Sequence, residues 1–396
     1  MKIIFVEPNL KTVSGHVFEA TKALAGYFAD SQKQAKVDFV CHIDADKNVF
    51  GYLPSVKPMY RLSCFEQGEV KIVIEDLEAM VDKFQLGRAD VVVFTTAHLR
   101  DIEAANAVSK INNSPRFILQ LHQYYPPLVN ADMIFNEEAG KKLGEKYKEV
   151  LGNLNNEKVK IVITPVHLLA EKIFDVSGYR PSMFSVPFAP STNFKRDGKF
   201  KKEMTLGFLG DGRKEKGLLE FLRFTEEASK SNDFNDFRFV VQIQNPRGYS
   251  ADELNEIRNL KVTLLARKSV EVNSGPLDSE EYYKKLRSCD VVFVLHYSKH
   301  YSIRLSGIAV ECGMIGMPVI AYDGTSIGEW IKEGKLYGEL IKEDGLRGAL
   351  FRLKERVNDF PKTQLEQLSQ FWLKEYSAEN YVNNYLIPLI YNYDWK

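Results

Sequence analysis

Short apolar runs alternate with amphipathic stretches along nearly the whole chain, and this alternation limits the fold more than any other feature. In the first half the apolar runs are KIIFVEP, KVDFVCHI, ADVVVFTT, RFILQLH and KVKIVIT, and the stretches that follow them include GHVFEATKALAGYFA, DLEAMVDKF, HLRDIEAANAVSKI and PVHLLAEKIF. Runs of this length are typical of strands buried on both faces, and the stretches have the length of crossover helices. The pattern therefore predicts an α/β fold with parallel, doubly wound sheets.

The alternation is interrupted once, in the polar and basic stretch PFAPSTNFKRDGKFKKEM, and then begins again. The second half predicts strands at TLGFLG, FRFVVQIQ, KVTLLA, CDVVFVLH and MPVIAYD, and helices at GLLEFLRFTEEASK, ADELNEIRNL, DSEEYYKKLRS and GIAVECGMIG. We interpret residues 189–203 as a linker. A chain of 396 residues has room for two domains. We predict two facing Rossmann-like domains with a cleft between them: 1–190, 191–376, and a C-terminal helix and tail, 377–396, that could pack back on the first domain.

Composition excludes several classes of protein. Lysine plus arginine equals aspartate plus glutamate at 53 each, so no net charge favours nucleic acid as a partner. The four cysteines lie far apart and form no C-x-x-C pair, which indicates reduced thiols in the cytosol and no zinc site. No apolar run approaches the roughly 18 residues of a membrane span, and the N-terminus has no signal-peptide pattern. The chain is expected to be cytoplasmic.

A glycine-rich turn precedes a predicted helix in LGFLGDGRKEKGLLEF. Its glycines are Gly207, Gly210 and Gly212, and its cations are Arg213, Lys214 and Lys216. This G-x-x-G-x-G spacing is neither the dinucleotide fingerprint nor a P-loop. Cations ahead of a helix that starts near Gly217 nevertheless form an anion site, suited to a diphosphate. A solvated charged turn is the alternative interpretation.

A second stretch, SGIAVECGMIGMPVIAYDG, favours the ligand interpretation. Ser306 is a good N-cap, and Gly307 allows a ligand to approach the free amides of the first turn. Glu311 lies four residues after Gly307 and therefore on the same helix face. A carboxylate there can accept two hydrogen bonds from the diol of a ribose. The alternative is a capping or salt-bridged acid.

These motifs resemble those of retaining nucleotide-sugar glycosyltransferases of the GT-B fold, in the family-4-like group that includes bacterial glycan-assembly enzymes and sucrose synthases. FLGDGRKEKGL resembles the pattern F-V-G-R-L-x-x-E-K-G, and SGIAVECGMIGMPVIA resembles G-x-x-x-x-E-A-M-A-x-G-x-P-V-I-A. VEPNLKTVSGHVFEATKAL, RFILQLHQYYPP and VNSGPLDSEEYYKKLRSCDVVFVLH resemble the first glycine loop, a histidine-ended strand and the loop beside the base.

The resemblance implies roles for individual residues. Nucleotide-sugar contacts are implied for Gly15, Gly210, Arg213, Lys216, Gly275, Leu277, Ser306, Gly307 and Glu311. Lys216 would bind the diphosphate and Glu311 the ribose. His122 would lie near the transferred sugar and His16 on the acceptor side. With Arg304, His122 and Lys216 are the catalytic candidates.

Two positions depart from the family pattern. Asp211 stands where the family has an arginine, so Arg213 would have to serve instead. Ile303 stands where the family has its first glutamate, but YSIRLSG fits a Y-x-x-R-x-S-G variant. In that variant Arg304 becomes a candidate for phosphate or sugar contact.

The resemblance implies a metal-independent hexosyltransferase without a cofactor. It would move a hexose from a UDP- or GDP-sugar to a saccharide or lipid-linked acceptor, with retention, in cell-surface glycan assembly.

The acidic triplet Asp44–Asp46 has D-x-D spacing, but we interpret it as a turn rather than a metal site. The lysines in 136–160 leave open a peripheral contact with anionic lipid at the inner face of the membrane. Two alternatives remain: a catalytically inactive nucleotide-sugar-binding subunit, and a non-hydrolysing sugar-nucleotide epimerase.

Overall fold

The computed structural model describes residues 1–13, 15–30, 36–63, 66, 68–123, 137–188, 203–357 and 362–391. The chain forms two compact units. The N-terminal unit comprises Met1–Ala189, Ile303–Leu305 and Glu375–Lys396, and the C-terminal unit comprises Pro190–Ser302 and Ser306–Lys374. The predicted linker lies, except for its last residue, outside the described residues.

The N-terminal unit contains a seven-stranded parallel sheet in the order β3-β2-β1-β4-β5-β6-β7. Its strands are β1 Lys2–Glu7, β2 Lys36–His42, β3 Val56–Tyr60, β4 Val91–Ala97, β5 Arg116–Leu121, β6 Val159–Ile163 and β7 Ser182–Met183. The helices of this half are α1 Gly15–Asp30, α2 Lys47–Tyr52, α3 Val70–Phe84, α4 Leu99–Ser109, α5 Glu137–Gly152 and α6 His167–Ser177.

Each face of this sheet has its own apolar core, which explains why its strands are continuous apolar runs. On β1, Ile4 and Val6 belong to one core, and Ile3 and Phe5 to the other. The second core is completed from the far end of the chain, because Tyr381 is fully buried in it. The C-terminal segment is therefore part of the N-terminal unit.

The C-terminal unit contains a six-stranded parallel sheet in the order β10-β9-β8-β11-β12-β13. Its strands are β8 Met204–Phe208, β9 Phe237–Ile243, β10 Val270–Ser274, β11 Val291–Val294, β12 Val319–Tyr322 and β13 Gly338–Ile341. The remaining helices are α7 Leu218–Ala228, α8 Ala251–Leu265, α9 Ser279–Ser288, α10 Ser298–Tyr301, α11 Gly307–Ile315, α12 Ser326–Lys332, α13 Gly345–Val357, α14 Lys362–Glu375, α15 Ala378–Asn380 and α16 Ile387–Tyr391, with a π-helical turn at Tyr381–Leu386 and 3₁₀ turns at Lys214–Lys216 and Asn232–Phe234.

The two parallel α/β sheets confirm the predicted fold class, but one predicted strand is wrong. KVTLLA continues helix α8, and the strand that follows is β10. A capping box between Ser250 and Glu253 starts the helix, and Val262 and Leu265 point to solvent. Short apolar runs are ambiguous between helix and strand, and here the well-capped helix continues through one.

None of the described helices is both long and apolar enough to cross a bilayer.

Candidate functional site

The glycine-rich turn lies at the point where the second sheet reverses its strand order. Strands β8 and β11 are neighbours there, and the chain leaves them toward opposite edges of the sheet. Open α/β sheets bind ligands beyond the carboxyl ends of the strands at such a switch point. The turn follows β8 directly, and its position therefore makes it a candidate binding site.

Glycines shape this turn for a physical reason. Gly210 has φ +106°, and its N–H donates to Oε1 of Gln242 at 2.8 Å. Gly217 has φ +80° and precedes α7. A Cβ on Gly217 would lie 2.5 Å from Cβ and 2.7 Å from the carbonyl oxygen of Leu295, which follows β11. The turn thus packs against the neighbouring strand end at a distance that only glycine permits.

Lys216 is the cation most available to a ligand. Its Nζ lies 4.0 Å from the point where Gly210 would carry a Cβ. Among the described residues its ammonium has no hydrogen bond or salt bridge. Burial lowers the pKa of Lys216, and the charge of Arg213 acts in the same direction, while Tyr301, Asp211 and Glu215 act in the opposite direction. An anion bound beside it would offset both effects.

Arg213 is held by protein groups instead. Its guanidinium lies 3.1 Å from Asp211 and 3.0 Å from Glu215, and it donates to the Tyr301 hydroxyl at 3.0 Å. Asp211 also accepts a hydrogen bond of 2.5 Å from Arg247, a residue that our sequence analysis missed. Arg247 belongs to a loop after β9, and no spacing in the sequence connects it with the turn.

The start of α11 has the predicted cap. The Ser306 side chain accepts a hydrogen bond from the Ala309 N–H at 3.4 Å, which confirms Ser306 as the N-cap. The amides of Gly307 and Ile308 have no carbonyl one turn earlier in the helix. Such free amides at the positive end of a helix attract anions.

Glu311 is 8% exposed and lies one turn into α11. The Tyr282 hydroxyl donates to its Oε2 at 2.6 Å, and the Tyr283 hydroxyl donates to Oε1 at 3.4 Å. Both tyrosines lie on α9. They provide the partners that a buried carboxylate needs, and burial together with the charge of Glu311 raises the pKa of Tyr282. These tyrosines were not predicted from the sequence, where the adjacent pair in EEYYKKLR is the available signal.

The loop after β10 is tied to the glycine-rich turn by a buried glutamine. Gln242 is 1% exposed, accepts from Gly210, and donates to the carbonyl oxygen of Gly275 at 3.2 Å. Gly275 has φ +96°, and Leu277 is half-buried two residues later. Gln242, which was not predicted, therefore fixes two of the predicted site segments to each other.

The remaining candidates belong to the N-terminal unit. Gly15, with φ +81°, and His16 are the exposed first residues of α1. Arg304 is half-buried in the segment Ile303–Leu305, which is grouped with this unit. Ile303 and Leu305 pack against its apolar core. The predicted residues are thus divided between the two units.

His122 follows strand β5 in the N-terminal unit. Its Nε2 lies 2.7 Å from the carbonyl oxygen of Thr95, and burial lowers its pKa. Two residues near it were not predicted from the sequence. The first is Glu7, whose pKa is raised by burial. The second is His98, whose pKa falls to about 3 through burial and the charges of Arg100 and His122.

The described residues contain no group of three or more histidine, cysteine, aspartate or glutamate side chains that could hold a metal ion. Asp46, the end of the D-x-D triplet, accepts a hydrogen bond from the Asn48 N–H and caps α2. The triplet therefore has a structural role as a turn.

The lysine-rich stretch forms helix α5, and its charges are mixed. Lys142 pairs with Glu138 at 2.7 Å, and Lys146 pairs with Glu103 at 3.2 Å. Exposed glutamates alternate with the exposed lysines, and the surface of this helix is therefore not uniformly basic.

Comparison with known proteins identifies the fold. No protein-family model and no curated sequence matches the chain. Anabaena Alr3699/HepE in complex with UDP has a TM-score of 0.67 at 12% identity, covering 99% of this chain and 100% of that one. For sucrose-phosphate synthase from Thermosynechococcus elongatus the TM-score is 0.64 at 13% identity, covering 99% of this chain and 98% of that one. A glycosyltransferase from Rickettsia africae has a TM-score of 0.60 at 14% sequence identity, with 98% of each chain covered. The fold is that of GT-B glycosyltransferases.

Proposed function

We propose that the chain is a glycosyltransferase that uses a nucleoside-diphosphate sugar as donor. The observation that carries the proposal is the Lys216 ammonium over Gly210, at the switch point of the second sheet. The amides at the start of α11 and the carboxylate of Glu311 provide the chemistry that a diphosphate and a ribose require. Structures of the Anabaena neighbour hold UDP and UDP-glucose, in agreement with a donor of this class.

In this proposal the C-terminal unit binds the donor. Negative charge develops on the diphosphate as the glycosidic bond breaks, and fixed cations and amides directed at that charge lower the barrier. Lys216 supplies the positive charge without a metal, while Asp211 and Glu215 already compensate the charge of Arg213.

His122 and Arg304 are proposed to contact the sugar, and Gly15 and His16 to lie toward the acceptor. The donor is a UDP- or GDP-hexose, transferred with retention to a saccharide or lipid-linked saccharide during cell-surface glycan assembly.

The first experiment is thermal stabilisation by UDP, GDP, ADP and their sugars. A ligand that binds the folded state at a hundredfold excess over Kd stabilises it by about 2.7 kcal/mol. We expect one base to raise the Tm of the wild type and of Lys214→Met, whose lysine pairs with Glu253, and to raise Tm much less in Lys216→Met and Glu311→Ala. If no nucleotide raises Tm in the wild type, the donor-site proposal is wrong.

A second candidate function is a nucleotide-sugar-binding subunit without turnover. The observation that favours it is the pairing of Asp211 with both Arg213 and Arg247. This pairing places an acid where the resembling family has a cation. Release of nucleoside diphosphate from the donor, dependent on a saccharide acceptor, separates the two functions. Nucleotide binding without acceptor-dependent release would favour the binding subunit.

A further inference from the structure

A hydrogen bond of the His122 ring determines which nitrogen carries its proton. Nε2 lies 2.7 Å from the carbonyl oxygen of Thr95, and a carbonyl oxygen can only accept. Nε2 must therefore be the protonated nitrogen. Burial lowers the pKa of His122, so the neutral ring prevails and Nδ1 keeps its lone pair. Among the described residues no donor to Nδ1 is found.

The Thr95 carbonyl is available to His122 because the regular pairing of β4 with its neighbouring strands is interrupted at this point. The register between β4 and β5 shifts between Phe94 and Ala97, and the regular pairing of β4 with β1 ends at Phe94. Thr95 and Thr96 therefore lie in an irregular stretch of β4, between the paired residues Phe94 and Ala97. Their geometry must be fixed by other contacts.

Glu7, the last residue of β1, provides those contacts. Its Oε2 accepts hydrogen bonds from the hydroxyls of Thr95 at 2.6 Å and Thr96 at 2.8 Å. Its Oε1 accepts the N–H of Asn9 at 3.0 Å. The side chain is 5% exposed. One buried carboxylate thus joins the end of β1 to the irregular end of β4, at the switch point of the first sheet.

We propose that Glu7 is a positioning residue for His122. Through the two threonine hydroxyls it fixes the Thr95 carbonyl, which holds His122 with its proton on Nε2 and presents Nδ1 as an acceptor for a hydroxyl of the bound sugar. The identity of the ligand as a sugar rests on the proposed function. The tautomer and its dependence on Glu7 rest only on the contacts described above.

Nitrogen NMR of the full chain, labelled with ¹⁵N-histidine, tests the tautomer directly. The His122 signals are assigned by their loss in His122→Asn. We expect a protonated Nε2 and an unprotonated Nδ1 near neutral pH in the wild type. A protonated Nδ1 in the neutral ring would overturn the proposal without any further variant.

The role of Glu7 is tested by substitution. The side-chain amide of Glu7→Gln has a single acceptor oxygen, which cannot serve both the threonine hydroxyls and the Asn9 N–H as the two carboxylate oxygens do. We expect the displaced contacts to produce a mixture of His122 tautomers. Asp76→Asn is the matched control, because Asp76 is equally buried in the same unit but binds Arg61. If Glu7→Gln does not fold, Thr96→Val removes one of the two hydroxyl contacts and should shift the tautomer ratio in the same direction. An unchanged ratio in the folded variants refutes the positioning role.

The sugar contact has its own readout. Addition of the sugar nucleotide found to bind should change the ¹⁵N chemical shift of His122 Nδ1, whereas the matching free nucleoside diphosphate should change it much less. An equal change with the two ligands, or no change with either ligand, overturns the sugar contact. If no nucleotide binds at all, the proposed function fails, while the tautomer and the effect of Glu7→Gln still test the positioning role.

Discussion

The ammonium of Lys216 lies above Gly210, with Nζ 4.0 Å from the position that a Cβ of this glycine would occupy. Within the described part of the chain, the neighbouring cations of the turn form salt bridges, Lys214 with Glu253 and Arg213 with Asp211 and Glu215, whereas Lys216 has no carboxylate within salt-bridge distance. This difference within one turn makes the contribution of each cation separable by mutation.

Lys216→Met should weaken nucleoside-diphosphate binding by about 1.5–3 kcal/mol, roughly 10- to 150-fold in Kd, because a hydrogen bond to a charged group is lost. Isothermal titration calorimetry measures the change. Lys214→Met is the matched control and should alter Kd by less than about threefold, since its lysine is engaged by Glu253. Equal losses in the two variants would mean that the turn acts only through its general positive charge.

Gly217→Ala should destabilise the protein more than Gly15→Ala. Both glycines have φ close to +80°, where an alanine costs about 1–2 kcal/mol. The new Cβ would meet Leu295 at 2.5 Å in the first case and, among the described residues, nothing within 4 Å in the second. Differential scanning calorimetry should therefore show the larger loss of Tm for Gly217→Ala. A similar loss for both variants would show that the turn can move away from Leu295.

Tyr282→Phe should lower both stability and nucleotide affinity. The variant removes the 2.6 Å hydrogen bond to the buried carboxylate of Glu311, a loss of about 1–3 kcal/mol. Tyr283→Phe removes only a 3.4 Å contact to the other oxygen and should cost less. Thermal unfolding and calorimetric titration with the bound nucleotide compare the two. A larger effect of Tyr283→Phe on affinity would show that the 2.6 Å hydrogen bond from Tyr282 is not the more important of the two contacts to Glu311.

The pH dependence of stability should contain a contribution from His98. Its pKa in the folded chain is about 3, against 6.5 for an ordinary histidine, because burial and nearby positive charge oppose protonation. Between these pH values the unfolded chain binds more protons, so stability falls as pH falls through this range, by at most about 1.4 kcal/mol per pH unit for one group.

His98→Asn should remove that contribution while keeping a residue that is suited to the N-cap of α4. We expect its Tm to fall less steeply than that of the wild type between pH 6.5 and pH 4.5. Calorimetric scans across this range provide the comparison. Parallel curves for the two proteins would show that His98 does not resist protonation in the fold.

Most elements of both sheets are predicted by the sequence because their signals are local. A strand buried on both faces is a continuous apolar run, and a helix start needs a residue such as Ser306 at one position. Local signals fail where they are ambiguous. KVTLLA lies in a helix, and the short edge strand β13 at Gly338–Ile341 was not predicted.

The sequence by itself determined the two α/β halves, the glycine-rich turn with its cations, and the capped helix that carries Glu311. Only the tertiary structure decided which of these groups are engaged. Tyr301 is 88 residues from Arg213, Gln242 is 32 residues from Gly210, and Thr95 is 88 residues from Glu7. Parallel strands bring such residues together at one edge, but each crossover separates them by many residues along the chain. No local pattern records those pairs, whereas the carboxylates that compensate Arg213 lie within two residues of it in the sequence.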